Sequence, residues 1–204
     1  MKRFGRLAFA ALIGLGMAGA PLASAGASVL VKIGPDGYGV DDEGRRMVHG
    51  YGSGRSYDKI PRKVVKYETR HTPGTIVVNT SERRLYHVLG NGKAMKYGVG
   101  VGRQGFQWAG THRVTRKAEW PGWTPPPAMR KRQPGLPSYM AGGPNNPLGA
   151  RAIYIGSTLY RIHGSNEPWT IGHAVSSGCI RMTNDDVTHL YDNVKRGAKV
   201  VVVR

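Results

Sequence analysis

Thirty glycines and thirteen prolines cut this chain into short runs, and that punctuation favours a loop-rich, strand-based fold over a helix bundle. The runs themselves are β-rich. Residues 64–67, 74–79, 84–89, 94–99 and 113–118 read as successive strands, and further strands are expected at 152–155, 158–163 and 199–204. Asn91-Gly92 between two of them is hairpin chemistry, because both residues tolerate positive φ. One segment carries the helical period instead. Val187, Leu190, Tyr191 and Val194 share one face of residues 184–194, Thr183 or Asn184 can cap it, and Asp185 and Asp186 suit its first turn. The expected fold is mainly β, sandwich-like or barrel-like, with one short helix near its end.

Residues 120–149 break the pattern. Eight prolines prevent regular pairing there, with Trp120, Trp123, Met129, Tyr139 and Met140 interspersed. Such a loop serves as a lid or binding loop, or as a wrapping segment whose aromatics complete the core; the sequence leaves both open.

The first 25 residues read as an export signal. Lys2, Arg3 and Arg6 precede an uncharged apolar run at 7–20, and Ala23-Ser24-Ala25 is a small-x-small cleavage site. The run falls short of the roughly 20 residues that span a bilayer. The mature chain is therefore expected to begin at Gly26, with no stable transmembrane segment, in the periplasm or cell envelope. Residues 26–62 carry turn chemistry and few apolar clusters, and read as an extended, flexible arm. Residues 63–204 read as the folded domain.

The net charge is +18, of which +15 remains once the three cations of the leader are removed. Basic chains often bind nucleic acid, but an exported chain rarely meets it, so no nucleic-acid partner is expected. The anions of an envelope are wall-peptide carboxylates and lipid head groups. A merely solvated basic surface explains much of the charge as well.

The chain has a single cysteine. It has no internal disulfide partner in an oxidising compartment, so Cys179 is expected to be either buried or used. Ile162-His163-Gly164-Ser165 ends one strand. Ser176-Ser177-Gly178-Cys179-Ile180-Arg181-Met182 leads into the helix, with Cys179 sixteen residues after His163. A thiol attacks only as thiolate, and an imidazole can take its proton and return it to a leaving amine. Gly178 lets backbone amides approach a substrate carbonyl as an oxyanion hole. Gly164 gives the same freedom beside the imidazole. Arg181 would share a strand face with Cys179 and suits a carboxylate. His163, His173 and Cys179 do not have the spacing of a zinc site, and no metal or other cofactor is expected.

These segments resemble the catalytic motif of the L,D-transpeptidases, the YkuD-like domain. The family pattern is His-Gly, a spacer, then Ser/Thr-His-Gly-Cys, an apolar residue, and Asn or Arg. The resemblance covers roughly residues 64–204, including Pro73-Gly74-Thr75-Ile76-Val77-Val78-Asn79 and the Trp/Pro-rich middle. It implies an L,D-transpeptidase catalytic domain whose short helix follows the catalytic cysteine. It makes Cys179 the nucleophile and His163 the proton donor and acceptor, with the Gly164 carbonyl orienting the ring. Gly178 and the Cys179 amide would serve the oxyanion, and Arg181, Ser177 and Tyr160 would contact substrate. The substrate implied is a peptidoglycan tetrapeptide stem, and the acyl acceptor another stem or an envelope protein. One position departs from the pattern: Ser177 stands where the family usually has histidine, which leaves the Cys–His pair intact and puts any supporting role of that ring in doubt. His173, in the spacer, offers a partial substitute or is simply an exposed loop residue. The rival readings are an L,D-carboxypeptidase or other wall hydrolase using the same pair, and a non-catalytic peptidoglycan-binding module.

Overall fold

The β-branched runs become strands because their side chains pack on a half-buried pleated surface. The computed structural model describes residues 58–204, together with β1 (Lys32–Ile33) and β2 (Gly39–Val40), which pair antiparallel. The expected leader at 1–25 and the rest of the arm to residue 57 lie outside the described residues. The chain then runs through β3 (Lys63–Lys66), β4 (Ile76–Asn79), β5 (Arg84–Gly90), β6 (Lys93–Gly98), β7 (Val101–Gly102) and β8 (Gly110–Glu119). A short helix α1 (Pro127–Arg132) precedes β9 (Arg151–Ile155), β10 (Arg161–His163), β11 (Ala174–Ser176) and β12 (Ile180–Arg181). Helix α2 (Asn184–Asn193) and β13 (Lys199–Val203) close the fold.

Nine strands form one sheet in the order β12-β10-β9-β8-β13-β4-β5-β6-β3. β7 and β11 pair separately, in parallel. Gly100, just past the end of β6, exchanges two backbone hydrogen bonds with Arg181 of β12, at 2.9 and 2.8 Å. β6 and β12 lie towards opposite edges of the sheet, so this bridge curls it around its core. That is the barrel-like fold expected. Ile76 and Val78 of β4, Ile153 and Ile155 of β9, and Val200 and Val202 of β13 alternate into the core. Helix α2 adds Val187, Leu190 and Val194, which are buried, with Tyr191 packed at the margin. Each buried aliphatic side chain contributes about 1.5–3 kcal/mol. Lys117 of β8 donates to the carbonyls of Tyr191 and Val194, neutralising the negative end of α2.

The hairpin between β5 and β6 turns through Asn91 at φ 50° and Gly92 at φ 64°, as the Asn-Gly pair predicts. Elsewhere the structure differs from the sequence reading. The strand expected from 158 begins only at Arg161, because the Thr158 hydroxyl donates to the Ile155 carbonyl at 2.6 Å and turns the chain. The proline-rich segment contains α1, whose Pro127 occupies a first-turn position where no N–H is needed. It also contains a Trp123–Met140 backbone bridge. Residues 58–62, read as the end of the arm, are packed: Ile60 fills space left beside Gly98 and Gly172, where a Cβ would collide with it.

Candidate active site

The site is assembled where β10 and β12 lie side by side and feed α2. Met182 donates its N–H to the His163 carbonyl at 2.8 Å, and Thr183 caps α2 by accepting from the Asp186 N–H at 3.1 Å. The Asn184 carboxamide oxygen accepts from the Ala150 N–H at 2.9 Å. It occupies a notch that a Cβ at either Gly149 or Gly164 would close. Gly164 is therefore required for packing, beside whatever it does for the imidazole.

The strand register places the chemistry. β10 and β12 are parallel, with Ile162 opposite Ile180 and His163 opposite Arg181. Both isoleucines enter the core. Side chains alternate along a strand and paired residues share a face, so Arg161, His163, Cys179 and Arg181 all lie on the other side. One residue back in the same register sets Cys179 beside Arg161. The thiol and the imidazole are thus diagonal neighbours on adjacent strands.

His163 is buried, and its Nδ1 lies 2.6 Å from the Gly164 carbonyl oxygen. A carbonyl can only accept, so Nδ1 carries the hydrogen and Nε2 keeps the lone pair. Burial pushes the His163 pKa down to about 3, and the charges of Arg181 and Arg161 push the same way, against the carbonyls of Gly164 and Leu148. The ring is neutral at pH 7. Cys179 is half-buried, and its Sγ is 3.9 Å from the Leu159 carbonyl oxygen, its hydrogen-bond acceptor. Burial pushes the thiol pKa up, opposed by the charge and backbone N–H of Arg161 and by Arg181. The resting pair is a neutral thiol beside a neutral imidazole, and nothing here pre-forms an ion pair.

Gly178 stands at φ +108°, and a Cβ there would collide with the Tyr160 ring. Its N–H donates to the Ser176 hydroxyl at 3.1 Å, and that hydroxyl donates to the Cys179 carbonyl at 2.6 Å. Its carbonyl accepts from the Trp108 indole at 2.7 Å. Trp108 stacks on Tyr160 with ring centroids 4.6 Å apart. Tyr160 is thus held against the Cys179 turn. Arg181 is engaged by Glu167 at 2.7 Å, so its guanidinium meets a carboxylate of this chain. Ser177 is partly buried next to Cys179, whereas the His173 side chain is exposed.

Residues 73–202 match the YkuD family, described as the L,D-transpeptidase catalytic domain. The chain belongs to this family. The Escherichia coli K12 protein named Probable L,D-transpeptidase ErfK/SrfK is 44% identical over 153 residues, 71% of this chain and 48% of its own length. The protein named Probable L,D-transpeptidase YbiS from the same organism is 37% identical over 150 residues, 69% of this chain and 47% of its own. The chain thus spans about half the length of these curated relatives. An L,D-transpeptidase from Mycobacterium smegmatis shares the fold, with a TM-score of 0.50 and 19% identity over 64% of this chain and 58% of that one.

Within this L,D-transpeptidase domain, three residues at the site escaped the sequence reading. Trp108 lies in a loop with no periodic signal. Leu159 contributes only a carbonyl. Arg161 was within reach, because the alternation that pairs Cys179 with Arg181 also pairs His163 with Arg161.

Proposed function

We propose that the mature chain is an exported L,D-transpeptidase that uses Cys179 and His163 on peptidoglycan tetrapeptide stems. The observation that carries this reading is the fixed tautomer of His163, whose Nε2 lone pair sits on the same sheet face as the only thiol of the chain. In the proposed first step, Cys179 turns off the Leu159 carbonyl and gives its proton to Nε2 as sulfur attacks the carbonyl of the third stem residue. The tetrahedral oxyanion takes the Cys179 N–H, since the Gly178 N–H is already given to Ser176. The C–N bond to the terminal D-alanine breaks, and His163 returns the proton to the departing amine. The thioester then passes its acyl group to an amine, and the thiol is regenerated. An amine of a second stem gives a 3→3 cross-link, and an amine of an envelope protein gives its attachment to the wall. A neutral resting pair suits this sequence, because proton transfer then accompanies attack instead of preceding it.

The family assignment, the register of β10 with β12 and the Gly164 contact support these roles. Export is supported by the leader read at 1–25. The test is mass spectrometry of products from the chain beginning at Gly26, incubated with purified tetrapeptide muropeptides beside Cys179→Ala. A dimer lacking one D-alanine, made by the unsubstituted chain alone, is the expected result. A tripeptide monomer alone means that water or an absent protein is the acceptor. No product and no thioester mass on Cys179 overturns the reading.

A further inference from the structure

Arg161 has no role in the chemistry above, yet it is the cation set closest to the thiol by the strand register. Its Nη2 donates to the Leu159 carbonyl at 3.3 Å, the same oxygen that accepts from Cys179 Sγ at 3.9 Å. One acceptor therefore holds the guanidinium and the thiol together. Its Nε is buried with no hydrogen-bond partner among the described residues. A buried donor without an acceptor is costly, and a charge-bearing group tolerates that position when an anion forms next to it. The guanidinium carbon lies 5.5 Å from the centre of the Tyr154 ring, and that ring also carries Arg116 at 3.6 Å.

The other groups facing the thiol do not supply this charge. From β10 comes His163, neutral at pH 7. From β12 comes Arg181, whose charge is met by Glu167 at 2.7 Å. The turn before Cys179 brings the Ser176 and Ser177 hydroxyls, and the charges acting on the thiol are those of Arg161 and Arg181 alone. Tyr160 is stacked on Trp108. Of the two arginines that the β10–β12 register sets beside the sulfur, Arg161 is the one that no carboxylate neutralises among the described residues.

We propose that Arg161 is the residue that stabilises the Cys179 thiolate, acting through its charge, while its hydrogen bond to Leu159 holds the guanidinium at the oxygen that the thiol leaves. A guanidinium serves this better than an ammonium because it stays charged at every working pH. The proposal rests on reading Cys179 as the reactive thiol, but its test needs no substrate.

The experiment is the pH dependence of iodoacetamide alkylation, scored by intact mass. Cys179 is the only cysteine, so every adduct reports on it. Arg161→Gln is expected to raise the midpoint of the profile by about one pH unit, which slows alkylation at pH 7.5 about tenfold. Arg161→Lys is expected to restore most of the rate. Arg161→Met keeps an unbranched side chain without the charge and gives the same reading as Gln if that variant folds poorly, with near-UV circular dichroism checking both. Coincident midpoints for the unsubstituted, Gln and Met proteins overturn the proposal. So does a Gln shift that Lys does not reverse, since that is the mark of a packing effect. A chain that shows the shift but makes no cross-linked or hydrolysed product refutes the proposed function and leaves the role of Arg161 standing.

Discussion

Two charged clusters flank the start of α2, and they are built on opposite terms. At the outer one, Arg62 binds Asp185 at 2.9 Å and Asp186 at 3.1 Å, and Lys59 binds Asp185 at 3.3 Å. Asp186 is fully buried, and burial pushes its carboxyl pKa up while Arg62 and Thr183 pull it down. Each charge there has an opposite partner. At the inner one, Arg161 and Arg181 surround an imidazole and a thiol, and Glu167 answers only Arg181. The outer cluster ties residues 59–62 to the helix. The inner cluster leaves positive potential beside the thiol of Cys179. Balanced charge holds position, and unbalanced charge shifts a pKa.

The sharpest way to separate the clusters is to remove the two groups proposed to react. Cys179→Ala is expected to abolish product formation, and His163→Gln to reduce it by about 10²–10⁴-fold, both with unchanged circular dichroism. Comparable activity in either variant breaks the contrast at its centre. The pH dependence of stability comes next. The folded-state pKa of His163 lies below its unfolded value of 6.5, so the unfolded chain binds more protons between about 3 and 6.5. Its stabilisation is fully present above 6.5 and is lost as pH falls towards 3. Urea midpoints between pH 4 and 7 should therefore depend less steeply on pH in His163→Asn than in the unsubstituted chain.

Gly178→Ala is expected to cost about 1–3 kcal/mol in urea denaturation, from positive φ and the Tyr160 collision. In a Tyr160→Ala background the collision disappears and part of that cost should be recovered; an unchanged cost assigns it all to the backbone. Arg62→Met leaves Asp186 buried without its partner. Because Arg62 is about a third exposed, solvent screens the loss, and about 1–2 kcal/mol is expected. The same variant should leave the alkylation midpoint of Cys179 in place, and a moved midpoint joins the two clusters electrically. The smallest effect is Thr183→Ala, about 1 kcal/mol from a lost cap.

Much of the fold was legible residue by residue. The 84–89 and 94–99 runs with Asn91-Gly92 between them are β5, β6 and their turn. The spacing of Val187, Leu190 and Val194 is the buried face of α2. β7 and β12 were not legible, since two residues carry no period and their pairing is made by distant chain. α1 was hidden by its own prolines. Within the site, the Cys179 and His163 motifs and the Gly164 contact were expected. Arg181 was read as a contact for a substrate carboxylate, and in the structure it pairs with Glu167, a partner the sequence did not suggest.

The sequence by itself determined most of the local elements and the family, and singled out Cys179 and His163 as candidates, because period, turn chemistry and a short motif are properties of neighbours in the chain. Only the tertiary structure decided that Ile162 faces Ile180. That register puts Cys179 next to Arg161, sets His163 against Arg181, and gives the Gly178 carbonyl to Trp108 from a loop far upstream. It also decides how far each group is withdrawn from water. The pKa values at the site follow from burial and from charges brought together across strands, and these are fixed only when the sheet curls and closes.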